Sequence, residues 1–358
     1  MINSWACMIV AASAIAGGAV EPADNPIFPA RAKLEQVYER TAKLNSGLTE
    51  GPATAPDGSV YFTDMPFGPA QQTMIQRYNP RTGKTTLFTD KGGKANGLAF
   101  DADGRLLGCE GADGGGRCVS RWNVKTGHKD IVADRFAGKR LNAPNDLCVD
   151  RKGRIYFSDP RYIGSEPREL PHRAVYRIEP DGKVIEITRD VEMPNGIVLS
   201  ADERTLYVGD HNSGGVRLSL NDPPPPRGAM RLYAFPLNDQ GLVAGSKRTL
   251  IDFGKENGCD GITVDSAGHI YVTCRRLTRP GVMVIDPQGK QVAFLPTGPA
   301  NQKGLVNDWR GIPSNVEFGV GDDDHTLYVT IDRGLYRIRT KQRTPPPVWA
   351  KRAAAPAP

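Results

Sequence analysis

"MPNGIVLSADERTLYVGD", residues 193–210, runs from an Asn-Gly pair through an apolar stretch, a polar turn and a second apolar stretch ending in aspartate. The same order returns in "KANGLAFDADGRLLGCEG" (94–111), "APNDLCVDRKGRIYFSDP" (143–160) and "GCDGITVDSAGHIYVTC" (258–274). Two short β-prone runs around a Gly-containing turn form an antiparallel hairpin. The polar residue that opens each copy is found at Glu50, Asn96, Asn145, Asn195, Asp260 and Asn315. Eleven residues later the second run carries Tyr61, Leu107, Tyr156 and Tyr271; Tyr207 comes at twelve and Tyr328 at thirteen, after longer turns.

Spacing of about 50 residues leaves room for two further short strands per copy, as in "AVYRIEP" and "KVIEITRD". Six four-stranded units predict an all-β fold, a six-bladed β-propeller spanning residues 30–340 as one domain. "LEQVYERT" (34–41) is expected to complete the last blade and latch the ring. The Pro/Ala-rich tail, 341–358, is expected to be disordered. The first strand of every propeller blade lines the central tunnel, so the six polar residues should form a ring, with a metal site at one mouth. Asn-Gly and Asp-Gly taken singly are turn formers. Glutamate is a poor one, and Glu50 shares the register.

Forty glycines and 29 prolines suit this turn-rich architecture. The net charge of +6 is scattered, with no basic run, which excludes nucleic acid as an expected partner. "WACMIVAASAIAGGAV" (5–20) is uncharged, apolar and short for a membrane span. Residues 1–20 read as a signal peptide, giving an exported protein, periplasmic or extracellular, without stable membrane insertion. Five cysteines remain beyond it, none in a zinc pattern. Cys109 and Cys118 flank a Gly-rich hairpin and are the one pair that could meet across it as a disulfide.

Glu50, Asn145, Asn195 and Asp260 offer only oxygen donors, with two formal negative charges. That set suits one divalent cation, Ca²⁺ first, with Mg²⁺, Mn²⁺ or Zn²⁺ as substitutes. No GxSxG elbow or Ser/His/Asp set is present, which disfavours a serine-esterase route.

The chain resembles the regucalcin/gluconolactonase family, related to diisopropyl-fluorophosphatase and the paraoxonases. The resemblance rests on "EGP" with Glu50, "PND" with Asn145, "PNG" with Asn195 and "CDGITVD" with Asp260, in family order over roughly residues 45–340. It implies a calcium-type site held by Glu50, Asn195 and Asp260, with Asn145 as fourth ligand or water-linked contact. It also implies a lactone as small-molecule substrate, with Asp260 and Asn145 at the reacting centre and Asp260 activating water. One position departs: family members carry a substrate-binding arginine two residues before the first metal-site asparagine, where this chain has Ala143. Other groups must then recognise the substrate.

Topology suggests which. Loops after the second strands return to the ring's mouth, and two are long, 160–173 and 211–230. Asn96, Asp159, Arg161, Tyr162, His211 and Arg275 are the expected substrate contacts, with His211 a candidate proton shuttle. The same ring would also serve an aryl-esterase or phosphotriesterase, and a propeller of this build can bind ligand without turnover.

Overall fold

The computed structural model describes residues 25–40, 47–66, 71–214, 226–298 and 311–350. Among them, regular structure is strand apart from one 3-10 turn at Gly321–Asp323. Six four-stranded antiparallel sheets form the blades of a β-propeller. Their innermost strands are Leu48–Thr54, Ala95–Phe100, Leu147–Val149, Pro194–Leu199, Cys259–Val264 and Pro313–Phe318.

The ring closes as expected, because Glu35–Glu39 pairs antiparallel with Gly334–Arg339 as the outermost strand of the sixth blade. The first blade and the last are thus tied by a strand borrowed from the other end of the chain.

The periodic aromatic explains the period. Six apolar clusters lie between neighbouring blades, and each takes one repeat residue: Tyr61, Leu107, Tyr156, Tyr207, Tyr271 and Tyr328. All six are buried. Burying such a side chain is worth roughly 1.5–3 kcal/mol, and one per interface distributes that stabilisation around the ring. In three blades the turn is built by the aspartate that follows the inner strand, Asp101, Asp150 or Asp265. Asp150 Oδ1 accepts from the amides of Lys152 and Arg154, at 2.9 Å each. Asp265 Oδ1 does the same for Ala267 and His269.

The ring residues lie on the inner strands, as expected, except Asn145, which stands two residues before Leu147–Val149. In the other five blades the register slips there against the second strand, as between Pro194 and Ile197 and between Cys259 and Ile262. Such bulges re-aim a side chain. The glycine that follows permits close approach of the next blade: a Cβ on Gly196 would lie 2.2 Å from the Asp260 carbonyl oxygen, and one on Gly97 2.1 Å from Asp146 Oδ1.

Two expectations change. Cys109 and Cys118 are free thiols. The register pairs Cys109 with Val119 and Glu110 with Cys118, which puts the two sulfurs on opposite faces of the sheet.

Residues 341–350 do not leave the fold. Lys341 N donates to Ile27 O, and Thr344 N to Asp324 O. Trp349 packs on the cluster containing Ala55, Phe100 and Trp122. Thr344–Trp349 thereby lie across one end of the tunnel and wall a cavity of about 210 Å³. Residues 351–358, the 1–20 segment and the middle of the 211–230 loop lie outside the described residues. No helix among the described residues is long and apolar enough to cross a membrane.

Candidate functional site

At the other end of the tunnel five of the six ring residues, Glu50, Asn96, Asn145, Asn195 and Asp260, line one cavity of about 220 Å³. A bulge accompanies four of them, all but Asn145. Asn315 drops one layer deeper: its Nδ2 donates to Glu50 Oε2 at 3.0 Å and reaches Asp146 Oδ2 at 3.5 Å.

The four expected cation ligands are all buried. Both bonds to the Glu50 carboxylate, from Gly51 N and Asn315 Nδ2, fall on Oε2. Asp260 receives Arg275 Nη1 on Oδ2 at 2.5 Å. Asn195 donates through Nδ2 to Tyr162 Oη at 3.0 Å. Among the described residues, Glu50 Oε1, Asp260 Oδ1, Asn195 Oδ1 and the whole Asn145 carboxamide have no protein partner. These atoms are not sealed from solvent but open on the cavity, and four such groups facing one space form a site that can take a ligand. Burial, with the charges of Asp260 and Asp146, pushes the Glu50 carboxyl well above the usual carboxylate range. A cation among these oxygens would relieve that cost, and hard oxygen donors match Ca²⁺ or Mg²⁺ chemistry. The set has two carboxylates and two carboxamides. Among the described residues no group of three or more His, Cys, Asp and Glu side chains is gathered for a metal.

Of the expected substrate contacts, Asn96, Tyr162, His211 and Arg275 line the cavity. Asp159 and Arg161 do not. Asp159 is fully buried behind Asn145, accepting the amides of Asn142 at 2.8 Å and Ala143 at 2.7 Å. Burial raises its carboxyl to about 6, opposed by those two bonds. It positions the approach to the ring, as Asp210 does for Glu192 and Met193 and Asp332 for Gly311 and Ile312. Arg161 takes a left-handed backbone, φ 63°, which turns its guanidinium away onto Glu166, 3.1 Å from Oε2. It pins the 160–173 loop so that Tyr162 and Ile163 face the cavity.

His211 is buried and its ring proton is assigned by geometry. Nδ1 lies 3.0 Å from the Cys259 carbonyl oxygen, so Nδ1 carries the hydrogen and Nε2 is the acceptor. Desolvation lowers its pKa to about 4, against the pull of Asp260. The imidazole is therefore neutral at pH 7 and ties the start of the fifth blade to the fourth.

Sequence reasoning missed two residues. Asp146, at the place where four blades have glycine, adds a carboxylate just below the ring. Its pKa is raised to about 7 by burial. Lys94, two residues before Asn96, also lines the cavity.

Residues 48–333 match the SMP-30/gluconolactonase/LRE-like region. This chain belongs to that family. A gluconolactonase from Zymomonas mobilis is 27% identical over 320 residues, covering 82% of this chain and 78% of its own. A pentonolactonase from Haloferax volcanii is 24% identical over 65% of this chain and 68% of its own. Among solved structures, a gluconolactonase from Xanthomonas campestris superposes with a TM-score of 0.68 at 26% identity, over 90% of this chain and 98% of its own. The calcium-binding protein regucalcin from Agrobacterium tumefaciens, 19% identical over 88% and 96%, shares the fold with a TM-score of 0.63.

Proposed function

We propose that this member of the SMP-30/gluconolactonase/LRE-like family is a divalent-cation-dependent lactone hydrolase of the gluconolactonase type. The observation that carries the proposal is the convergence of unpartnered oxygens from Glu50, Asn145, Asn195 and Asp260 on one cavity. Relatives in Zymomonas mobilis and Haloferax volcanii named as lactonases support the substrate class. The cation, Ca²⁺ before Mg²⁺, Mn²⁺ or Zn²⁺, would be held by those four residues and would supply Lewis acidity toward the lactone carbonyl.

The chain's own groups do the rest. Asp260 accepts the proton of the attacking water through Oδ1, while Arg275 holds Oδ2 and fixes the plane of the carboxylate. The water oxygen bonds to the carbonyl carbon, the ring C–O bond breaks, and the proton passes from Asp260 to the leaving alkoxide. The Asn145 carboxamide orients the water, and Tyr162 keeps the Asn195 amide turned so that its oxygen faces the cavity. On the strength of residues 5–20, we also propose that the protein is exported.

The test is a panel of aldonolactones, acyl lactones and aryl esters, assayed with and without chelator. Hydrolysis of lactones that disappears with EDTA and returns with Ca²⁺ is expected, together with a higher Tm in Ca²⁺. Full activity in EDTA with no bound metal overturns the cation's role. Hydrolysis of aryl esters alone overturns the substrate class.

A further inference from the structure

The ladder of the fifth blade places two cysteines face to face. Cys259, the residue before Asp260, is the register partner of Cys274, the residue before Arg275. Arg275 N donates to the Gly258 carbonyl oxygen at 3.2 Å, so Gly258 and Arg275 form a hydrogen-bonded pair. The next pair along, Cys259 and Cys274, is therefore of the non-hydrogen-bonded kind, with Cα atoms about 4.5 Å apart and side chains at their closest. That spacing lies within the range a disulfide spans. Opposite residues of a ladder point to one face, and both thiols lie in the same apolar cluster, with Tyr207, Met230 and Phe253. Both are fully buried. A Cβ on Gly209, in the neighbouring blade, would lie 2.7 Å from Cys259 Sγ, so the glycine there makes room for the sulfur.

Other blades show what the pair replaces. At the same rung Thr49 faces Asp64, Ala95 faces Glu110 and Pro194 faces Asp210. Asp210 accepts the amides of Glu192 and Met193 at 2.8 Å each, which fastens the approach to Asn195. Cys274 stands where those blades have a carboxylate, and a thiol is a weak acceptor. The blade that carries Asp260 thus reaches the ring without that carboxylate, and it is here that two cysteines meet. Left as thiols they are small apolar filling. Joined, they tie the approach to Asp260 covalently to the second strand.

We propose that Cys259 and Cys274 are an oxidation site, joined in a cross-strand disulfide when the chain folds in the presence of a disulfide oxidant, and that the bond braces Asp260 and Arg275. One Sγ–Sγ bond forms. The two thiol protons and two electrons pass to the oxidant, a small disulfide of the glutathione type, whose own S–S bond breaks to give two thiols. An exported chain folds under such conditions. Burial keeps both sulfurs from exchange in the finished fold, so the bond is made during folding and kept afterwards. Both cysteines are free thiols in the structure; the backbone spacing already fits, so joining them calls for side-chain rotation alone. The inference goes beyond the lactonase reading and does not depend on it.

The full chain is refolded from the reduced, unfolded state, once in a buffer of reduced and oxidised glutathione and once in dithiothreitol. Each product is desalted, unfolded in guanidinium chloride with iodoacetamide, digested with trypsin and read by mass spectrometry. Cys259 and Cys274 share one tryptic peptide, 256–275. After refolding in glutathione that peptide is expected to carry no carbamidomethyl group and to be lighter by two hydrogens; after dithiothreitol it should carry both groups. The bond closes a short loop, so the oxidised product should melt about 3–8 °C higher than the reduced one. The double variant Cys259→Ala/Cys274→Ala should melt alike from both buffers. Two carbamidomethyl groups on the peptide from the glutathione product overturn the proposal, as does a glutathione adduct or a bond to Cys109, Cys118 or Cys148. No rise in Tm for the bonded wild type, or an equal rise in the double variant, overturns the brace.

Discussion

Arg275 Nη1 donates to Asp260 Oδ2 at 2.5 Å, within a single blade, from the residue after the second strand to the ring residue of the first. Both side chains are largely withdrawn from solvent, where a charge-assisted bond is worth about 1.5–3 kcal/mol. The pair divides the carboxylate: Oδ2 is anchored and Oδ1 is left to the cavity. Arg275→Met should therefore lower kcat by about 10- to 100-fold by freeing the Asp260 rotamer. Removing a positive charge beside the oxygen ring should at the same time tighten Ca²⁺ binding. Steady-state kinetics beside Ca²⁺ calorimetry checks both, and loss of Ca²⁺ affinity would show that Arg275 holds the ring together instead of balancing its charge.

His211 is neutral down to about pH 4 in the folded protein. A pH–rate profile should thus lack a limb near 6.5, the usual histidine value. Stability carries the complementary signature. The unfolded chain takes up a proton near 6.5 while the folded one does not, so His211 costs stability as pH falls from about 6.5 toward 4. His211→Asn, whose amide can still donate to the Cys259 carbonyl, should keep most of kcat and flatten that decline. A rate loss of 10²-fold or more in this variant would restore the imidazole as a proton carrier.

Glu317 predicts the opposite slope. It lines the tunnel cavity beneath Thr344–Trp349, and burial raises its carboxyl to about 7, opposed by bonds from Phe318 N and Thr263 Oγ1. The folded state holds a proton that the unfolded chain releases near 4.5, so stability falls as pH rises from about 4.5 through 7. The cost at pH 8 is on the order of 3 kcal/mol. Glu317→Gln should raise Tm at pH 8, leave it nearly unchanged at pH 4, and spare activity. Equal Tm values at pH 8 would mean that the carboxylate is balanced inside the tunnel.

What was legible in the sequence follows from where the repeat is strict. Ring residue and interface aromatic keep nearly constant spacing because each must recur once per blade, so Glu50, Asn145, Asn195, Asp260 and the blade count could be read directly. Asp159 and Arg161 were misplaced because loop position does not reveal direction: backbone amides claim one, and a left-handed turn swings the other away. Lys94 was visible only by comparing offsets between blades, since a lone lysine in a Gly-rich stretch resembles a solvated loop. Residues 341–350 were harder to read, because a proline run cannot join a sheet; they cross the tunnel end instead, tied by the Lys341 and Thr344 amides and by the Trp349 side chain.

The Trp349 contact is testable. Trp349 packs against the cluster of Ala55, Phe100 and Trp122, between the first two blades. Removing an aromatic from such a contact costs about 1.5–3 kcal/mol when burial is complete, and Trp349 is half-buried. Trp349→Ala should lower Tm by about 2–6 °C and leave kcat unchanged, because the strap and the oxygen ring lie at opposite ends of the tunnel. Differential scanning calorimetry beside a lactonase assay reads both, and an unchanged Tm would show that the strap adds nothing to ring closure.

The ring members themselves differ in chemistry, and that difference gives the sharpest separation. Asp260 supplies charge, a ligand oxygen and a base; Asn96 shares the cavity, yet the resemblance to the family gives its blade no ligand. Asp260→Asn keeps the shape and one oxygen while removing charge and basicity. It should retain part of the bound cation and lose about 10²-fold or more in kcat, the usual loss for a general acid–base group. Asn96→Ala should keep the cation, because Glu50 and Asp260 balance its charge, and should show its effect in KM. Metal content by mass spectrometry is measured for both variants beside their steady-state kinetics. If Asn96→Ala empties the site while Asp260→Asn stays fully active, the cation belongs to a different set of blades, and the base for water must be sought on the Asn96 side of the cavity.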